Sequence, residues 1–161
     1  MRLGDRVAVV IDGALPQVGI PKDVFGAPVD EVVAQFVGVE IIVPGSVRAV
    51  DGGVAIIDID GHTIEGGSGV AAGDSVLVCL RPEDVVVGSM DEGSQPTSAR
   101  NHLPATVTRI LPWGPFRRVE MEAGFPLVAL ITKQAEEQLA LAPGSHVIAT
   151  FKATAVHLVR R

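Results

Sequence analysis

A chain of 161 residues that is 47% hydrophobic and 20% charged is too apolar for disorder and long enough for one domain or two small ones. Its 18 Gly, 11 Pro, abundant valine, 5 Phe, single Trp and lack of Tyr favour many short strands broken by turns, so the expected fold class is mostly β. The formal charge of −6 has the wrong sign for neutralising a phosphate backbone and excludes generic nucleic-acid binding, while a small anion can still be held where donors converge.

Met1, Arg2, Leu3 and Gly4 lead into nothing resembling a signal peptide, and no run reaches the roughly 18 apolar residues of a membrane span. A cytoplasmic chain without direct membrane insertion is expected. The run Val7-Ala8-Val9-Val10-Ile11 before Asp12-Gly13 predicts a strand, and the subsequent Gln17-Val18-Gly19-Ile20-Pro21 predicts a loop. Pro21-Lys22-Asp23-Val24-Phe25 predicts a short helix. Residues 28–38, with proline and acids at the start and Gly38 at the end, predict a longer one. Val32, Val33 and Phe36 form an apolar stripe that needs a partner, so this segment should pack on the residues C-terminal to it.

From Val39 the pattern turns to period two, and the chain repeats itself. Val43-Pro44-Gly45-Ser46-Val47-Arg48-Ala49-Val50 lies on Leu103-Pro104-Ala105-Thr106-Val107-Thr108-Arg109-Ile110, sixty positions on. Gly73-Asp74-Ser75-Val76-Leu77-Val78-Cys79-Leu80-Arg81 lies on Gly144-Ser145-His146-Val147-Ile148-Ala149-Thr150-Phe151-Lys152, seventy-one on. In each copy a turn glycine opens a strand, a basic residue closes it, and a last strand comes after a short break. Asp51-Gly52-Gly53 and Asp60-Gly61 separate hairpin strands in the first copy; Trp113-Gly114-Pro115, Glu122-Ala123-Gly124 and Pro143-Gly144 do so in the second, where residues 133–139 predict one helix. Tandem OB-like five-stranded barrels are therefore expected at 39–88 and 98–161, preceded by a short helical segment at 1–38 and joined by a polar, mobile linker at 89–97.

Ser98-Ala99-Arg100-Asn101, Leu127-Val128-Ala129-Leu130-Ile131-Thr132, Leu139-Ala140-Leu141-Ala142-Pro143-Gly144 and Phe151-Lys152-Ala153-Thr154-Ala155-Val156 occur in order over 98–159 and resemble the Mop, or molybdate-binding TOBE, module. Upstream, Asp5-Arg6-Val7-Ala8-Val9, Val24-Phe25 and Phe36-Val37-Gly38-Val39-Glu40 resemble the end of an ABC importer nucleotide-binding domain. The resemblance implies the tail and regulatory domain of the ATP-binding subunit of a molybdate- or tungstate-type importer. It implies a homodimer working with a nucleotide-binding domain and a permease at the inner face of the membrane, with molybdate or tungstate as ligand and no cofactor. Ligand held where Ser98, Ala99, Arg100 and Asn101 of one module meet Lys152 and Thr154 of another would favour one arrangement of modules and so restrain transport.

The residue types suit that chemistry on their own terms. A tetrahedral dianion offers four acceptor oxygens, and the Ser98 and Thr154 hydroxyls, the main-chain amides of 99–101 and the Lys152 ammonium are all donors. The first copy has Gly38-Val39-Glu40-Ile41 in place of the four-residue motif, so it is expected to bind nothing, with Arg81 structural. Ala135 stands where the family usually has serine.

No Gly-x-x-x-x-Gly-Lys-Ser/Thr occurs, so no phosphate cradle, catalytic residue or ATPase activity is assigned to this chain, and Gly66-Gly67-Ser68-Gly69 reads as a turn. Cys79, the sole cysteine, reads as a core thiol; His62, His102, His146 and His157 lack metal-ligand spacing, so no metal is expected. Asp58 and Asp60 read as a solvated turn, and Trp113 as a packing or interface residue. Two rival readings stand beside the sensor. One is an assembly module that dimerises ATP-binding subunits without ligand, in which Ser98 and Asn101 merely open a strand and Lys152 blunts a sheet edge. The other, an OB-type oligonucleotide or oligosaccharide binder, is disfavoured by acidity and too few aromatic stacking platforms.

Overall fold

The computed structural model describes residues 5–90 and 96–161. The middle of the linker expected at 89–97 therefore lies outside the described residues.

The N-terminal unit opens with an antiparallel hairpin, β1 (Val7–Ile11) and β2 (Ala14–Gly19). The residues expected as loop up to Gly19 are a strand. Asp12 and Gly13 both take positive φ, 48° and 78°, which is the two-residue turn whose twist matches paired strands. Helices α1 (Pro21–Gly26) and α2 (Glu31–Phe36) come next, each of six residues. The second is shorter than expected because Asp30, not Pro28, caps it: its carboxylate accepts from the Val33 amide at 2.8 Å. The apolar stripe also divides. Val33 is buried with Val9 and Val24, whereas Val32 and Phe36 are 56% and 63% exposed.

The repeat is visible in the strands. The first copy gives β3 (Ile41–Asp51), β4 (Val54–Ile59), β5 (His62–Gly66), β6 (Ser75–Leu80) and β7 (Val86–Ser89). The second gives β8 (Asn101–Trp113), β9 (Phe116–Glu122), β10 (Pro126–Thr132), α3 (Lys133–Gln138), β11 (His146–Phe151) and β12 (His157–Arg160). Both long first strands shift register at the same repeat position, between Val47 and Ala49 and between Val107 and Arg109. Next to each bulge the Val47 carbonyl accepts from Gly73 at 2.8 Å, and the Val107 carbonyl from Gly144 at 2.7 Å. The mostly β, OB-like architecture is the one expected.

The copies are not separate in space. One sheet runs β12-β6-β3-β4-β5 and the other β10-β9-β8-β11-β7, so each copy gives its last strand to the other's sheet. A 3-10 turn after each closing basic residue, Pro82–Asp84 and Ala153–Ala155, carries the chain across. Gly66 and Gly67 make room for the visiting strand, since a Cβ on the first would overlap Val156 and one on the second would overlap Leu158. One apolar core results, joining Ile57, Ile64 and Leu80 to Val119, Leu127 and Phe151.

The covering of each sheet explains its sequence pattern. The side chains of β6 are buried on both faces, apart from its first residue: Val76, Val78 and Leu80 face the shared core, while Leu77 and Cys79 pack with Ala34, Val39 and Val159. Hence its unbroken apolar run. The second-copy equivalent, β11, alternates buried with more exposed residues, and among the described residues no such unit covers it.

Candidate functional site

Register places the halves of the expected oxyanion site at one end of one sheet. Asn101, the first residue of β8, pairs with Phe151, the last of β11, so Ser98, Ala99 and Arg100 lead in beside the point where Lys152 leaves. Among the described residues, no hydrogen bond or ion pair joins Lys152 to residues 98–101.

Asn101 is 3% exposed and clips the two repeats together. Its Oδ1 accepts from the Glu65 amide and its Nδ2 donates to the Glu65 carbonyl, both at 2.8 Å, reproducing a ladder rung with a side chain. Arg100 forks the Glu65 carboxylate through Nε and Nη2, each at 3.1 Å. That hydrogen bonding, with the carboxylate charge, holds the guanidinium pKa above its ordinary value. Arg100 is thus exposed but engaged.

The peptide at Ala99 is held as well. Its amide donates to Thr97 Oγ1 at 3.2 Å, and its carbonyl lies 2.9 Å from His102 Nε2. A carbonyl can only accept, so Nε2 carries the proton; in the neutral ring Nδ1 then accepts from the Thr150 hydroxyl at 3.2 Å.

The remaining donors have no partner among the described residues. Of the chain's three lysines, Lys133 lies 3.9 Å from Glu137, while Lys22 and Lys152 have no carboxylate partner there. Lys152 is exposed, as is Ser98. Lys152 lies just past the end of β11, where the 3-10 turn begins, and not within a strand. Thr154, also exposed, faces elsewhere: with Lys22, Ser68 and His157 it lines a cavity of about 520 Å³ between the N-terminal unit, the first repeat's turns and the strand β12.

Arg81, the first-copy counterpart of Lys152, turns the other way. Its Nη2 donates to the Phe25 carbonyl at the end of α1, and Glu83 lies 3.9 Å from Nη1. Arg81 ties the N-terminal unit to the barrels. Burial and, less strongly, the Arg81 charge push the His157 pKa below the ordinary value, against a smaller opposing effect of Asp84.

Other expectations resolve locally. Ala135 donates its amide to the Thr132 hydroxyl at 3.1 Å, capping α3, a role that needs no side chain. Burial, with Glu31 adding, pushes the Cys79 thiol up to about 11, so it stays protonated at neutral pH. Asp58 pairs with Arg48. Trp113 is exposed and its ring centroid lies 5.5 Å from the Arg118 guanidinium, which sits over it. Among the described residues no group of three His, Cys, Asp or Glu side chains could hold a metal. Glu65, Thr97 and Thr150 carried no signal in the sequence. His102, adjacent to the motif, could have been found from that adjacency.

The chain resembles known proteins in family, in sequence and in structure. The TOBE domain family matches residues 97–158. The molybdate/tungstate import ATP-binding protein WtpC of Pyrococcus abyssi is 36% identical over 155 residues, which is 96% of this chain and 42% of that protein. A spermidine/putrescine import ATP-binding protein, PotA of Ruegeria pomeroyi, is 34% identical over 97 residues, 60% of this chain and 26% of that one. The chain spans less than half the length of these curated relatives. Among solved structures, the cytoplasmic molybdate-binding protein ModG, crystallised with molybdate bound, superposes with a TM-score of 0.64 at 27% identity, covering 73% of this chain and 94% of that one.

Proposed function

With residues 97–158 identified as a TOBE domain in a ModG-like fold, we propose that this chain is an oxyanion-sensing regulatory region that binds molybdate or tungstate. Binding occurs where Ser98, Ala99, Arg100 and Asn101 meet Lys152 and Thr154 across modules. One observation carries the reading. The strand register that pairs Asn101 with Phe151 sets a motif held by Glu65 and His102 beside a lysine with no partner among the described residues. An ammonium and the Ser98 hydroxyl close to a rigid main chain are donors that a small dianion requires.

Arg100 contributes through its main chain, since Glu65 occupies its guanidinium. The Thr154 side chain faces the cavity beside His157, so a pocket complete on all sides needs a donor set from a second module. That requirement makes ligand occupancy depend on assembly, and a ligand that favours one arrangement of a dimer shifts it by no more than its affinity difference. The N-terminal unit supports the importer context. Leu15, Ile20, Val29, Val32 and Phe36 are exposed on it, an apolar face suited to a nucleotide-binding domain of the kind that an import ATP-binding protein carries. The partners are then that domain, a permease and a second copy, in the cytoplasm.

The spermidine/putrescine importer relatives share much of this chain, so relatedness alone leaves the ligand open and the Lys152 end of the sheet has to decide it. Calorimetry with molybdate, tungstate and sulfate tests this directly. Heat from the first two, with affinity about tenfold weaker in Lys152→Ala, is expected. Silence with both would remove the ligand and leave the assembly module, which sedimentation with and without molybdate would then measure.

A further inference from the structure

The cavity of about 520 Å³ lies beside the exchanged strand, and Lys152 is not among the residues lining it. Its exposed rim carries Lys22 from α1, Ser68 from the turn after β5 and Thr154 from the 3-10 turn before β12; Val54, Leu158 and buried Val156 form its floor. Among the described residues no carboxylate lines it, in a chain with 19 Asp and Glu. Lys22 is one of two lysines without a carboxylate partner among the described residues, and no bond there satisfies the Ser68 or Thr154 hydroxyl. The walls are fixed by close packing, because Gly67 lies against Leu158 and Gly66 against Val156 with no space for a Cβ.

Size sets the ligand class. About 520 Å³ is within the range of small-molecule pockets and several times what a bare tetrahedral oxyanion fills. A compact ammonium and two hydroxyls at the rim suit an anionic head, and the apolar floor suits a carbon body. We infer that this cavity is a second binding site, for a small organic anion with a phosphate or carboxylate head. Its three rim donors come from the N-terminal unit, the first repeat and the exchanged segment of the second. A bound anion would therefore fasten the N-terminal unit to the barrels at the place where Arg81 already holds the α1 carbonyl. Occupancy at this site reports to the same unit that carries the exposed apolar face.

Calorimetry of the full chain with AMP, ribose 5-phosphate and citrate, against inorganic phosphate and molybdate, tests the inference and separates the two head groups. At least one organic anion should bind more tightly than inorganic phosphate. Lys22→Ala and Ser68→Ala, both at the rim, should weaken it about tenfold or more, whereas Lys152→Ala should leave it unchanged. No heat from any organic anion, or binding that survives Lys22→Ala and vanishes in Lys152→Ala, would overturn the second site. The molybdate arm keeps the two proposals apart, since Lys152, whose removal should weaken molybdate, is not among the residues lining this cavity.

Discussion

The two repeats begin their long first strands at matched positions with opposite chemistry. Glu40 precedes β3 and pairs with Arg118 of the second repeat; Arg100 precedes β8 and pairs with Glu65 of the first. Next in line, Ile41 is buried as an apolar residue while Asn101 is buried as a hydrogen-bonding clip. Where the chain leaves each sheet to cross over, Arg81 holds the Phe25 carbonyl and Lys152 has no partner among the described residues. The first copy is the platform for the N-terminal unit, while in the second the Lys152 and Ser98 side chains have no partner among the described residues. An ion pair crosses between the copies at the start of each long first strand.

The largest test of this contrast is at the clip. Ile41→Ala should cost about 3 kcal/mol through lost packing, and Asn101→Ala about 2 kcal/mol by leaving the Glu65 amide and carbonyl unpaired, both read by denaturant unfolding. If Asn101→Ile, which inserts the first repeat's residue, restored full stability, the clip would not be what joins the copies. Next in size is the difference between the two closing bases. Molybdate affinity should fall about tenfold in Lys152→Ala and stay level in Arg81→Ala. Equal losses in the two would erase the division of labour between repeats.

A smaller effect belongs to His157. Burial, reinforced by Arg81 and opposed by Asp84, sets its folded pKa below the ordinary 6.5. The unfolded chain therefore takes up this proton first as pH falls, so stability declines below about 6.5 until the folded ring is protonated too. His157→Gln should flatten that part of the pH profile. The smallest effect is expected for Arg100→Gln, whose guanidinium pairs with Glu65 at the exposed surface, with a shift in melting temperature below that of any variant above.

Much of the fold was legible locally. Turn dipeptides such as Asp60-Gly61 and the matching runs around Val76 and Val147 carry the repeat in their own residues, because hairpin turns and strand periodicity depend on neighbours in sequence. The Asp12-Gly13 turn was equally visible, but the proline-containing stretch after it hid β2, which is a strand through its partner and not through its own pattern. At the candidate site, the motif residues and Lys152 could be named from the sequence. Glu65, lying 36 positions from Asn101, could not.

As a string of residues, the chain already declares itself a duplicated β unit with one donor-rich copy, since repetition and residue type need no third dimension. Folding in space added that the last strands cross over, that Arg81 serves the N-terminal unit, and that Lys22 and Thr154 share a cavity. The cause lies in the exchange itself, which preserves every local pattern. Strands β7 and β12 each pair along their length in the other copy's sheet as they could in their own, so nothing within a strand records which sheet it joins. That choice lies in the close packing of Val156 and Leu158 on Gly66 and Gly67, contacts between residues far apart in the chain.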